Sequence, residues 1–230
     1  MISAYACPAQ FLLSYVVFSL TQYLIERVVM KTNKLLAAAA LAVAASGVQA
    51  QIVINGSFED PTQTGWGTYS NLPGWTGGAN GIELRNNVEG TAQDGVNFVE
   101  LDTGANSSMS QTITLPGTGL YELSFWYSAR PGIGAGSNGL DFNFGGNTGS
   151  VLYTTAGGAV NNWQHYTGVF NLTGGPVTLT FSAAQTSDSL GGSLDNVRVT
   201  AVPEPETYAM LLAGLGMMGF IANRRRQRQS

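Results

Sequence analysis

The sequence predicts an all-β domain, either a sandwich or a barrel. Apolar and polar residues alternate with a period of two through the centre of the chain, most clearly in Leu120–Arg130. Glycine, asparagine and proline separate the alternating runs, as in Gly174-Gly175-Pro176. The 230 residues include 30 glycines and only 10% are charged, which suits turn-rich sheets better than a helical bundle.

About ten short strands are expected between residues 52 and 201. In Leu120–Arg130 the residues Tyr121, Leu123, Phe125 and Tyr127 share one face, so they are predicted to face the core. The predicted strands cover 52–59, 81–86, 96–102, 108–115, 120–130, 139–144, 150–155, 163–172, 177–182 and 193–201. Strands this short and closely spaced are typical of sandwiches and barrels.

Residues 30–50 have the three parts of a secretory signal peptide. Residues 30–34 form a basic start, residues 35–45 are apolar, and Val48-Gln49-Ala50 places small residues where signal peptidase cuts. Cleavage between Ala50 and Gln51 would leave Gln51 as the new N-terminus.

Residues 1–29 fit poorly in front of that signal. Phe11–Ile25 is apolar, but no lysine or arginine precedes it. Two interpretations stay open, an additional membrane segment or a start codon assigned too early. The second is favoured because a complete signal peptide begins at an internal methionine, Met30.

Residues 203–230 form a second targeting segment. Pro203-Glu204-Pro205 is followed by an apolar run over Tyr208–Ala222, and then by the cluster Arg224-Arg225-Arg226. The apolar run predicts a single transmembrane helix that is short for a bilayer. Arginines remain on the cytoplasmic side of a membrane, which would leave residues 51–202 outside.

This order of motif, apolar helix and arginine cluster over Val202–Ser230 resembles the PEP-CTERM sorting signal. The resemblance implies an exosortase in the inner membrane of a Gram-negative bacterium that makes exopolysaccharide. The enzyme would cut near Pro203–Pro205 after a transient membrane anchorage, and the protein would pass to the cell surface or be secreted. The alternative is a plain C-terminal tail anchor.

The domain at 51–202 resembles galactose-binding-like jelly rolls, which include carbohydrate-binding modules. The resemblance rests on short motifs in a fixed order, which are Asn55-Gly56-Ser57-Phe58-Glu59, Gly95–Asp102, Ser110–Ile113, Tyr121–Phe125, Trp163–Tyr166 and Gly192–Val197. It implies a jelly-roll β-sandwich and a non-catalytic, carbohydrate-binding-like role.

The same resemblance implies a structural calcium ion between the first and last strands, held by Glu59 and Asp195. Residues 51–202 contain 11 acidic and three basic side chains, a net charge of −8, which is consistent with a bound cation. The alternative is that both carboxylates pair with backbone amides or solvent. That negative charge also disfavours nucleic acid as a partner.

Four aromatic residues are candidate glycan contacts, because sugar C–H groups pack on ring faces. They are Trp66, Tyr69, Trp75 and Trp126. Trp126 alternates with the predicted core face of its strand, so it points away from that core. For each ring, burial in a core is the competing interpretation.

No catalytic residue is predicted. Glu100 and Asp102 share one strand face and could suggest glycosidase chemistry, but the solvated side of a sheet is the favoured interpretation. His165 is interpreted as structural, and the only cysteine, Cys7, precedes the domain. The expected function is therefore a non-enzymatic surface or matrix protein that associates with exopolysaccharide, cell-wall glycan or biofilm. The alternatives are a purely structural surface protein without glycan affinity and, less favoured, a glycoside hydrolase.

Overall fold

The computed structural model describes residues 52–203 and 205–227. The predicted signal peptide at 30–50, its cleavage site between Ala50 and Gln51, and the segment 1–29 lie outside the described residues. Glu204 of the sorting motif also lies outside them.

Within the described residues, the strands form two six-stranded sheets. The strands are β1 (Trp66–Tyr69), β2 (Asn71–Leu72), β3 (Trp75–Gly77), β4 (Ile82–Asn86), β5 (Asn97–Glu100), β6 (Ser108–Leu115), β7 (Gly119–Ser128), β8 (Gly139–Phe144), β9 (Asn147–Val151), β10 (Gln164–Leu172), β11 (Gly175–Ala184) and β12 (Ser193–Ala201). The first sheet has the order β1-β4-β5-β12-β7-β10, and the second has the order β2-β3-β6-β11-β8-β9. All the described pairings are antiparallel, and the predicted all-β sandwich is confirmed.

The strand expected at 52–59 is absent, and residues 60–80, where no strand is predicted, contain β1, β2 and β3. Asn55 and Phe58 have positive φ angles of 50° and 58°, which an extended strand does not allow. The Asn55 side chain accepts the Asp60 amide at 3.1 Å, and such local bonds favour a turn. The strand expected at 150–155 instead covers Asn147–Val151.

The core between the sheets is dominated by aromatic and branched aliphatic side chains. Phe125 lies at its centre, with its ring centroid 5.9 Å from that of Phe142 and 5.1 Å from that of Phe181. The described core residues lie between Val53 and Val199, within the strands and their connections. The sandwich therefore contains its own core, independent of the C-terminal segment.

A helix, α1 (Pro205–Gln227), follows the sandwich. Proline suits the first position of a helix, where no backbone N–H is needed for an intrahelical bond. The sequence predicts a transmembrane helix in this segment. Among the described residues, however, no helix is both long enough and apolar enough to cross a membrane.

Candidate functional site

The outer face of the first sheet carries most of the polar and aromatic side chains that could form a site. On each strand these residues alternate with core residues, so they point away from the core. On β4, for example, Glu83 and Arg85 alternate with the core residues Ile82 and Leu84. The side chains that define this face are Glu83, Arg85, Phe98, Glu100, Trp126, His165 and Asp195.

A charged cluster lies on this face at the junction of β4 and β5. Arg85 contacts Glu83, with Nε 2.7 Å from Oε1, and also contacts Glu100 through Nη2. Arg130 approaches the same Glu100 carboxylate at 3.3 Å and Glu89 at 3.7 Å. The Glu100 side chain is fully buried, whereas Glu89 lies at the open rim.

Burial raises the pKa of Glu100 to about 8, against the lowering effect of Arg85 and Arg130. The two guanidinium charges already have anionic partners in Glu83 and Glu89. Burial therefore favours the neutral form of Glu100, and the two guanidinium groups favour its anion.

Glu100 and Asp102 hold the segment 188–191 against the sheet. Glu100 Oε1 accepts the Gly191 amide at 2.6 Å. Asp102 Oδ2 accepts the amides of Asp188 and Ser189, both at 2.9 Å. Both acids are fully buried, so the expectation of a solvated sheet side is wrong for them. Their carboxylates face main-chain amides, which is an arrangement for fixing a loop.

Glu59 and Asp195 fix the neighbouring connection between β4 and β5. Glu59 Oε1 accepts the amides of Val96 and Asn97 at 2.9 and 2.8 Å. Asp195 Oδ2 accepts the amides at positions 93 and 94, at 2.8 and 2.9 Å. Burial raises the pKa of Asp195 to about 7, although these amide bonds lower it.

These contacts bear on the calcium ion predicted at Glu59 and Asp195. Residues 52–203 and 205–227 contain no cluster of three or more His, Cys, Asp or Glu side chains that could hold a metal ion. Calcium prefers six to eight oxygen ligands, whereas these two carboxylates face N–H groups. The geometry corresponds to the alternative in which both carboxylates accept hydrogen bonds from backbone amides. The calcium site stays a prediction.

The candidate aromatic contacts fall into different environments. Trp75 is only 2% exposed and packs between Phe58 and Phe181 in the core, so it has no ring face to offer a glycan. Tyr69 is half-buried against the core, and its hydroxyl donates to Gln63 at 2.6 Å. Trp66, by contrast, is 62% exposed on the edge strand β1.

Trp126 stacks against His165 on the outer face of the first sheet. The two residues are direct cross-strand partners on β7 and β10, with ring centroids 4.6 Å apart and ring planes 26° apart. Trp126 is half-buried, whereas His165, Thr167 and Val169 on the edge strand β10 are exposed. We call this surface the Trp126 strip, defined by Trp126, His165, Ser124, Thr167, Glu122 and Val169. The sequence predicts a structural role for His165 because it is the only histidine, and its place beside Trp126 depends on the β7–β10 register, which no local pattern shows.

The C-terminal segment matches a family model described as the PEP-CTERM protein-sorting motif over residues 201–226. The chain carries a PEP-CTERM sorting motif. The match includes Pro203, Pro205 and the arginines 224–226, as the sequence predicts. No curated protein matches the chain.

Several solved structures that are similar to the sandwich are carbohydrate-binding modules. A family 61 module in complex with β-1,4-galactotriose is 21% identical, with a TM-score of 0.43, and the match covers 66% of this chain and 99% of that one. A family 35 module from Clostridium thermocellum is 19% identical, with a TM-score of 0.39 and coverages of 60% and 100%. A module of Cellvibrio mixtus lichenase 5A in complex with cellotriose is 17% identical, with a TM-score of 0.38 and coverages of 68% and 100%. At these values the likeness carries no information about a ligand of this chain.

Proposed function

We propose that this protein is an exported exosortase substrate whose sandwich is a non-catalytic glycan-binding domain at the cell surface or in the extracellular matrix. It associates there with exopolysaccharide, including that of a biofilm. The observation that carries the sorting part is the PEP-CTERM motif at residues 201–226.

The geometry at the end of the sandwich suits processing. The Val202 amide donates to the Leu120 carbonyl at 2.8 Å, which fixes the end of β12 to β7. Pro203 is exposed immediately afterwards, and α1 begins at Pro205. A cut in this short connection would release the sandwich without removing a core residue, because the described core ends at Val199.

The Trp126 strip supports the glycan-binding part. A sugar ring presents C–H groups that pack on an indole face, and the stack with His165 fixes the orientation of that indole. The hydroxyl groups of Ser124 and Thr167 lie on the next cross-strand pair, within the same open surface. An aromatic platform beside a few polar groups is a common design for ligand recognition.

The arrangement of the acids supports a non-catalytic role. Glycoside hydrolysis uses two carboxyl groups that flank a bound substrate. Here Glu100, Asp102 and Asp195 are fully buried and accept main-chain amides of the connecting loops. These three acids therefore stabilise the fold.

The test is a glycan microarray probed with residues 51–202. Wild type is expected to bind a defined set of glycans, and Trp126→Ala should lose at least tenfold in affinity. Leu152→Ala is the control, because it removes an exposed apolar side chain that lies outside the Trp126 strip and is not a candidate glycan contact. A domain that binds no glycan would instead be a purely structural surface protein.

A further inference from the structure

A pocket of about 550 Å³ opens on the outer face of the second sheet. Its lining consists of Asn143 on β8, the Gly145-Gly146 turn that follows, Leu172 at the end of β10, the Thr173-Gly174 connection, and Pro176, Val177, Thr178 and Thr180 on β11. Its volume lies within the range of small-molecule sites, roughly 300–1,000 Å³.

The pocket threonines face away from the core. Thr178 and Thr180 alternate on β11 with Leu179 and Phe181, and both of those residues are fully buried. Successive side chains on a strand point to opposite faces of a sheet. The two hydroxyl groups therefore lie on the outer face of the second sheet.

The polar groups of the pocket face solvent. Asn143 and Thr173 are exposed and Thr180 is half-buried. The Asn143 Oδ1 atom accepts the Gly146 amide at 2.9 Å, and the Thr178 hydroxyl lies 3.5 Å from that of Thr112. These groups provide both donors and acceptors for a ligand.

Among the described residues that line the pocket, none has a charged or aromatic side chain. Without a cationic group, it lacks the usual partner of a phosphate or carboxylate. The net charge of −8 over residues 51–202 further disfavours an anionic ligand. Pro176 adds an apolar wall beside the hydroxyl and amide groups. This combination fits a neutral polyhydroxylated molecule.

We propose that this pocket binds an uncharged saccharide and that the domain thereby bridges two glycan strands. The two sheets of a sandwich pack through their inner faces, so their outer faces are on opposite sides. The Trp126 strip lies on one outer face and the pocket on the other. The bridging part of this inference rests on the proposed function, whereas the pocket itself does not.

The experiment is an NMR titration of residues 51–202 with cellotriose, maltotriose, mannotriose and β-1,4-galactotriose, each added separately. At least one of these should shift the amide signals around Thr173, Thr178 and Thr180. The double variant Thr178→Val/Thr180→Val should weaken that binding at least tenfold, because valine keeps the branched shape and removes two hydroxyl groups. Thr76→Val is the control on the same sheet, because Thr76 pairs with Ser110 away from the pocket, and its binding should equal that of wild type.

A trigalacturonate titration tests the charge selectivity of the pocket. It should bind there at least tenfold more weakly than the best neutral trisaccharide. If no neutral probe shifts the pocket signals, if the valine variant binds as wild type does, or if trigalacturonate binds equally well, the pocket proposal is overturned. Loss of all glycan binding in Trp126→Ala, with no effect in the pocket variant, would leave the proposed function intact and remove the second site. Binding at the pocket without any binding that depends on Trp126 would support the pocket site and contradict glycan binding at the Trp126 strip.

Discussion

Replacing Glu100 with glutamine should change how the stability of the sandwich depends on pH. Burial raises the pKa of the Glu100 carboxyl from 4.5 to about 8, although Arg85 and Arg130 lower it. The folded protein therefore binds this proton more tightly than the unfolded chain does. Its contribution to stability is fully present below pH 4.5 and is lost as the pH rises through 8.

The free energy of unfolding that depends on this proton is large compared with the total stability of a typical domain. A pKa rise of this size corresponds to about 5 kcal/mol in the free energy of unfolding, at 1.36 kcal/mol for each pKa unit. Domains usually have only about 5–15 kcal/mol in total. Glutamine has the shape of a protonated glutamate and cannot ionise. Relative to wild type, the Glu100→Gln variant should therefore gain up to about 5 kcal/mol of stability between pH 4 and pH 9.

Urea unfolding of residues 51–202, followed by tryptophan fluorescence at several pH values, measures this difference. Glu122→Gln is the control, because it removes a carboxyl group from the same outer face without touching the charged cluster. If Glu100→Gln loses stability with pH as steeply as wild type, the reasoning fails. If the variant becomes relatively less stable as the pH rises, Glu100 acts instead as an anion that stabilises its two arginines.

Three further predictions address sorting, the predicted ion and the core. Alanines in place of Pro203-Glu204-Pro205 should keep the protein in the inner-membrane fraction of an exosortase strain, whereas a plain tail anchor would fractionate unchanged. Calcium bound at Glu59 and Asp195 would add about 2.7 kcal/mol of stability at 100 times its dissociation constant. Melting curves recorded with calcium and with chelator measure this gain, and Asp195→Ala should abolish it. If chelator does not change the wild-type melting midpoint, the predicted calcium site is wrong and the two carboxylates only accept amide hydrogen bonds. Trp75→Ala should cost about 3–5 kcal/mol in urea unfolding, while Trp66→Ala should change stability by less than about 0.5 kcal/mol; equal effects would contradict the burial assignments.

The longer strands were predictable because alternation is a local property of the sequence. The expected strands 108–115, 139–144 and 193–201 coincide with β6, β8 and β12. The strands β1, β2 and β3 were missed because runs of two to four residues are too short to show a period. They are defined by pairing with β4, with β6 and with each other.

The candidate site was less predictable because it depends on contacts between distant residues. The alternation of β7 predicts that Trp126 faces outward, but its stack with His165 requires the β7–β10 register. Similarly, β5 ends at Glu100 and Asp102 lies just beyond it, and the burial of both acids depends on residues 188–191 folding over them. No local pattern in the sequence reveals that closure.

Several acidic side chains of the domain fix its loops instead of facing solvent. The only cysteine, Cys7, precedes the domain, so no disulfide constrains the loops on its first sheet. Instead Glu59, Glu100, Asp102 and Asp195 each accept main-chain amides from those loops. A buried amide without a partner is costly, so these carboxylates stabilise the loops that they cap. Part of the acid excess is therefore internal: these four carboxylates fix loops of the first sheet, and none of them lines the pocket on the second sheet.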